Sequence, residues 1–111
     1  MVQAATAPRR HQARLADAWR ALRDDLERRG AAYIEEVSRY PTPIARCDLH
    51  LPELLERRSR VFRLIRLMDE TPGPDAAAAR RLLAEASPGI EDARETELLE
   101  ALRAACGGPA C

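Results

Sequence analysis

Apolar residues recur along the first third of the chain at the spacing of an amphipathic α-helix. Between residues 11 and 39 they lie three, four or seven positions apart, and mainly arginine, aspartate and glutamate fill the opposite face. The residues of this stripe are Leu15, Trp19, Leu22, Leu26, Tyr33 and Val37. The pattern predicts one long helix of about 43 Å, at a rise of about 1.5 Å per residue.

A second amphipathic pattern runs from about Leu51 to Met68. Its apolar stripe consists of Leu51, Leu54, Leu55, Val61, Phe62, Ile65 and Met68. Proline is favoured at the first position of a helix, so Pro52 favours a start at Leu51. We expect this helix to pack antiparallel to the first one.

Prolines and glycines divide the rest of the chain into two shorter helices. The sequence Thr-Pro-Gly-Pro at 71–74 ends the second helix, and Asp75 is the predicted N-cap of a third that reaches about Ala86. Ser87-Pro88 predicts the start of a fourth helix, which ends near Cys106. The predicted fold is all-α, a small antiparallel bundle of a long helical hairpin plus two shorter C-terminal helices.

A chain of 111 residues has the usual size of one domain. Residues 1–10 lack periodicity and are predicted to be a flexible N-terminal tail. The helical-bundle domain then covers residues 11–106, and the glycines that follow predict a flexible end over 107–111.

Composition and charge narrow the range of partners. All eighteen basic residues are arginine, which is typical of a GC-rich bacterial genome, and the formal net charge is zero. A neutral chain has no general field that attracts nucleic acid, and five arginines within 57–66 are interpreted as the solvated face of a helix. No apolar run reaches the roughly 18 residues of a membrane span, so we expect no membrane partner and a cytoplasmic location.

The charge is unevenly distributed between the two parts of the chain. Residues 1–66 hold fourteen arginines and nine acids, a balance of +5, whereas residues 67–111 hold four arginines and nine acids, a balance of −5. The two parts can therefore attract each other within one chain or between two chains.

These features favour a non-enzymatic protein–protein interaction or assembly module of a bacterial cytoplasm. Because the first helix is longer than its own chain can cover, we expect a homodimer or a complex with another helical protein. The predicted interaction face consists of Trp19, Leu22, Leu26, Tyr33 and Phe62.

The alternative is a small ligand- or metal-binding protein that uses the corner between the first two helices. Pro41 and Pro43 force an extended path there, and several reactive side chains follow them. The candidate ligand-binding residues are Tyr40, Arg46, Cys47, Asp48 and His50.

Zinc is a minority possibility, and catalysis is disfavoured. Cys47 and His50 have Cys-x-x-His spacing and, together with Cys106 and Cys111, supply the three thiols and one imidazole of a tetrahedral zinc site. An odd number of cysteines otherwise predicts reduced thiols. A cysteine nucleophile also needs an oxyanion site, and no Gly-rich loop supplies one, which favours a non-enzymatic role.

Overall fold

The computed structural model describes residues 2–39, 50–71, 73–86 and 92–107, and the side chains of residues 13–39, 51–71, 73–86 and 92–107. The described part of the chain contains four helices and no strand. They are α1 (Val2–Ser38), α2 (His50–Asp69), α3 (Ala76–Ala86) and α4 (Ala93–Cys106). The predicted all-α bundle is therefore confirmed.

The predicted cap of α3 is confirmed, whereas α4 begins at Ala93 with a cap that the sequence analysis did not predict. Asp75 caps α3 as predicted, because its Oδ1 accepts a hydrogen bond of 2.8 Å from the backbone N–H of Ala78. The predicted start of the fourth helix at Ser87-Pro88 lies outside the described residues. Asp92 is the N-cap of α4, with extended backbone angles (φ −116°, ψ 113°) and a hydrogen bond of 2.7 Å from the N–H of Glu95.

Helix α1 begins earlier than its apolar stripe. The sequence predicts a tail over residues 1–10, whereas α1 is helical from Val2. Alanine has the highest helix propensity, and three alanines between residues 4 and 7 favour this extension. Amphipathic periodicity does not detect such a segment, because it reports packing against a core.

Neighbouring helices run antiparallel and form a ring. Gly30 approaches Val61 and Phe62 while Arg23 forms an ion pair with Asp69, so α1 and α2 run in opposite directions. Helix α4 returns along α1, which brings Arg29 to Glu95 and Ala18 to the same groove as Ala105. Helix α3 lies between α2 and α4, diagonally across from α1.

The core is aliphatic and contains the only tryptophan of the chain. Trp19 is buried with leucines, Val61, Met68 and the small side chains of Ala79 and Ala86. The buried leucines of this cluster are Leu15, Leu22, Leu26, Leu64, Leu82, Leu83, Leu98 and Leu102. The molecule measures 66 × 22 × 21 Å, with a radius of gyration of 17.0 Å rather than the ~13 Å of a compact chain of this size.

Gly30 lies at a point where α2 packs closely against α1. A Cβ atom built at this position lies 3.0 Å from Cζ of Phe62 and 3.4 Å from Cγ1 of Val61. A side chain at this position requires the Phe62 ring to shift by a few tenths of an ångström, so glycine permits the present packing of the ring against α1.

Gly30→Ala therefore tests this contact. Alanine stabilises a helix interior by about 1 kcal/mol relative to glycine, but the methyl group meets the Phe62 ring and offsets that gain. We expect Gly30→Ala to raise the free energy of unfolding by about 1 kcal/mol more in a Phe62→Ala background than in the wild type. Urea denaturation of the four proteins measures this difference, and equal effects in both backgrounds contradict the crossing geometry.

Candidate functional site

The most buried charged group lies where all four helices meet. Glu95, in the first turn of α4, is 0% exposed and accepts hydrogen bonds from two arginines. Nη2 of Arg29 on α1 donates to its Oε1 at 2.5 Å. Arg60 on α2 binds both carboxylate oxygens at 2.9 Å, which is the bidentate arrangement that a planar guanidinium favours. We call Arg29, Arg60 and Glu95 the charged cluster.

Arg60 also joins the cluster to the end of α3. Its Nη2 donates a hydrogen bond of 2.6 Å to the backbone carbonyl of Ala86, the last residue of that helix. The final carbonyls of a helix lack partners within the helix and carry partial negative charge, so a guanidinium is well suited to this position. One side chain therefore connects α2 to the end of α3 and the start of α4.

Arg29 is held by carboxylates on its own helix and on α4. Its Nε donates to Oδ2 of the buried Asp25 at 3.0 Å, and its Nη1 lies 4.0 Å from Oδ2 of Asp92 without a hydrogen bond. Burial lowers the pKa of Arg29, but the hydrogen bond and charge of Glu95, with further attraction from Asp92 and Asp25, outweigh it and raise the pKa. Its charge contributes fully to stability at neutral pH, and this contribution is lost only in strongly alkaline solution.

The cluster is built to hold helices together rather than to perform chemistry. Both oxygens of Glu95 are occupied by guanidinium groups and no part of the residue is exposed, so the carboxylate is not positioned to exchange a proton with a substrate. Among the side chains that the structure describes, no three potential metal ligands come together.

The predicted ligand corner lies largely outside the described residues. This holds for Tyr40, Arg46, Cys47 and Asp48, whereas His50 is the first residue of α2 and its side chain is not described. Whether these residues converge therefore stays a prediction.

Cys106 departs from the expected reduced thiols, because it is disulfide-bonded. Its sulfur partner lies outside the described residues, as do both other cysteines, Cys47 and Cys111. Sγ of Cys106 is 3.7 Å from the carbonyl oxygen of Ala76, a contact between the end of α4 and the start of α3. Zinc binds thiolates, so the predicted set with His50 requires this disulfide to be reduced first.

The predicted interaction face is divided between core and surface. Trp19, Leu22 and Leu26 are buried within the chain, which corrects their assignment to an external face. Tyr33 is half-buried and packs against the core, whereas Phe62 is 37% exposed. Packing against α2 and α4 within one chain covers the part of α1 that the sequence assigned to a partner.

The exposed apolar surface lies instead on the outer side of the α1–α2 hairpin. Ile34 is 50% exposed and follows Gly30 by one helical turn, and Gly30 is the residue against which the Phe62 ring packs. Ile34 is therefore one helical turn away from the residue that the Phe62 ring contacts. Ile34 and Phe62 are the large apolar side chains that are exposed among the described residues, and we call this pair the apolar patch.

The roles of Ile34 and Glu95 were not predicted, although the position of each residue in its helix indicates an unusual environment. Ile34 interrupts the polar face of α1 next to Tyr33, outside the stripe that marks the core. Glu95 precedes Leu98 and Leu102 by three and seven positions, so it occupies the apolar stripe of α4. A carboxylate on such a stripe indicates a buried partner of opposite charge.

Comparison of the chain with protein-family models, with curated proteins and with solved structures finds no match. Function is therefore inferred from the geometry. No helix in the described part of the chain is long and apolar enough to cross a membrane.

Substitution of Glu95 by glutamine tests the role of the charged cluster. Glutamine keeps the size of the side chain but removes the charge that compensates two largely buried guanidinium groups, and breaking a buried ion pair costs about 3 kcal/mol or more. We expect Glu95→Gln to lower the free energy of unfolding by about 3 kcal/mol, measured by urea denaturation at neutral pH.

Glu97→Gln is the matched control for this experiment. Glu97 lies two residues further along α4 and forms an exposed pair of 3.4 Å with Arg94, so its loss is expected to cost less than about 0.5 kcal/mol. Similar losses for the two variants contradict the role assigned to Glu95.

Proposed function

We propose that this chain is a non-enzymatic interaction or assembly module, and that it associates with a second copy of itself through the apolar patch. The observation that carries this proposal is the exposure of Ile34 and Phe62, together with the contact of Phe62 with Gly30, one helical turn before Ile34. Isolated apolar residues are common on protein surfaces, but adjacent large ones are typical of interfaces.

The lengths of the helices support association at this end of the molecule. Helix α1 has 37 residues, whereas α2, α3 and α4 have 20, 11 and 14. The end of α3 at Ala86 and the start of α4 at Glu95 contact the hairpin at Arg60 and Arg29. Beyond these two residues the hairpin continues toward residues 38 and 50, so α1 and α2 are expected to have a free outer side there.

A second copy suits a patch of this kind because the same surface can face itself. Two-fold dimers are the commonest oligomers, and their interface consists of one patch repeated on both subunits. Packing Ile34 and Phe62 against their counterparts removes all four side chains from water. The opposite formal charges of residues 1–66 and 67–111 add an attraction between copies, provided that the basic part of one faces the acidic part of the other.

The cytoplasmic location expected from the sequence belongs to the same proposal. Neutral charge and an ordinary polar helix surface support it, whereas the disulfide at Cys106 opposes it, because disulfides are rare in the cytosol of most organisms. Self-association through the apolar patch does not depend on the compartment.

Ile34→Glu tests this proposal with little risk to the fold. Glutamate has a higher helix propensity than isoleucine, and half of the Ile34 side chain is already exposed. We expect the wild-type chain to be dimeric at tens of micromolar by light scattering, and Ile34→Glu to be monomeric at the same concentration, because the new charge has to be buried at the centre of the interface.

Ala84→Glu is the matched control, since it places the same charge on an exposed position of α3. It is expected to remain dimeric. A monomeric wild type overturns the proposed self-association. If both variants are dimeric, the interface does not include Ile34. Circular dichroism of each variant verifies that the helices are intact.

A further inference from the structure

A groove between α2 and α3 is lined by several charged side chains that belong neither to the charged cluster nor to the apolar patch. Its cavity has a volume of about 220 Å³ and its lining includes Arg63 and Arg66 from α2 and Arg81 from α3. Leu64, which is buried, and Leu67 contribute its apolar part. We call it the α2–α3 groove.

The three arginines of this groove have no ion-pair or hydrogen-bond partner among the described residues. Other arginines of the molecule are engaged: Arg23 binds Asp69, and Arg60 binds Glu95. Guanidinium groups brought together without carboxylate partners repel one another, and a bound anion relieves this repulsion.

Two glutamates in the same groove restrict what can bind. Glu70 and Glu85 follow Arg66 and Arg81 by four residues, yet neither forms an ion pair within the described structure. With three arginines and two glutamates, the formal charge of the groove is +1. A long chain of phosphates meets repulsion from both glutamates, whereas a compact anion with two or more charges can contact the guanidinium groups alone.

We propose that Arg63, Arg66 and Arg81 form a binding site for a compact phosphorylated ligand that carries a pyrophosphate-like group. Guanidinium groups match phosphate oxygens in bidentate geometry, and three of them supply enough donors for two adjoining phosphates. The volume of about 220 Å³ accommodates such a group, and Leu64 and Leu67 offer an apolar contact to the rest of the ligand. This site is independent of self-association through the apolar patch.

Titration of the full chain with inorganic pyrophosphate by isothermal calorimetry at low ionic strength tests this site. We expect binding with a Kd below about 1 mM and a loss of affinity of about tenfold in Arg81→Gln, because one charge-assisted contact is removed. Affinity is also expected to fall as salt is raised, since the groove is open to solvent.

Arg80→Gln is the control that separates a site from general charge. Arg80 precedes Arg81 on α3, is exposed and also has no ion pair within the described part of the chain, but does not line the groove. Both variants lower the net charge by one, and only Arg81→Gln is expected to weaken binding by more than twofold. Glu85→Gln is expected to strengthen binding, because it removes repulsion.

Two results overturn the proposal. If Arg80→Gln and Arg81→Gln weaken pyrophosphate binding equally, the ligand is attracted by diffuse charge rather than by a site. If no binding is detected at 1 mM pyrophosphate, the groove does not bind ligands with a pyrophosphate-like group. Because the three residues that are changed, Arg80, Arg81 and Glu85, are exposed, their variants are expected to fold, and thermal unfolding of each verifies this.

Discussion

Glu95 accepts hydrogen bonds from two guanidinium groups at a place that solvent does not reach, and the arrangement of the four helices depends on this contact. An isolated carboxylate in such a position costs many kilocalories per mole, so α4 can be buried here only where Arg29 and Arg60 are both within reach. The aliphatic core provides most of the favourable free energy, but Leu and Ala tolerate many relative positions of the helices. The ion pairs allow few relative positions of the helices, because each hydrogen bond requires a particular distance and angle.

The same contact determines where the two shorter helices turn. Arg60 binds the last carbonyl of α3 and a side chain in the first turn of α4, so the end of α3 and the start of α4 are both held beside the middle of α2. The hairpin extends past this level, which accounts for an elongated molecule with the apolar patch on one side. Gly30 acts at the same level of α1, where it lets the Phe62 ring approach the helix backbone. The elongated shape of the molecule and the exposure of the apolar patch therefore both depend on a few contacts around residue 30.

Periodicity and turn residues were sufficient to predict the helices, their order and the antiparallel hairpin, since these follow from local spacing and from proline and glycine. The cap at Asp75 was predicted for the same reason. The interaction surface and the charged cluster were predicted less well than the fold. Trp19, Leu22 and Leu26 form an apolar stripe whether α4 of the same chain or another molecule covers it, and spacing alone does not distinguish the two. The pairing of Arg29 with Glu95 joins positions 66 residues apart, which no local pattern contains. Arg63 and Arg66 were assigned to a solvated face, and the sequence does not show that Arg81 of α3 lines the same groove.

The charged cluster also limits how the sequence can change over time. Loss of either arginine leaves Glu95 undercompensated, and loss of Glu95 leaves two guanidinium groups without their counterion, so each single replacement is expected to destabilise the fold. Exchange of all three for apolar side chains of similar volume is compatible with a stable core. Positions 29, 60 and 95 are therefore expected to covary, so that all three charged residues are retained or all three are replaced. The surrounding leucines are expected to be substituted independently by other apolar residues.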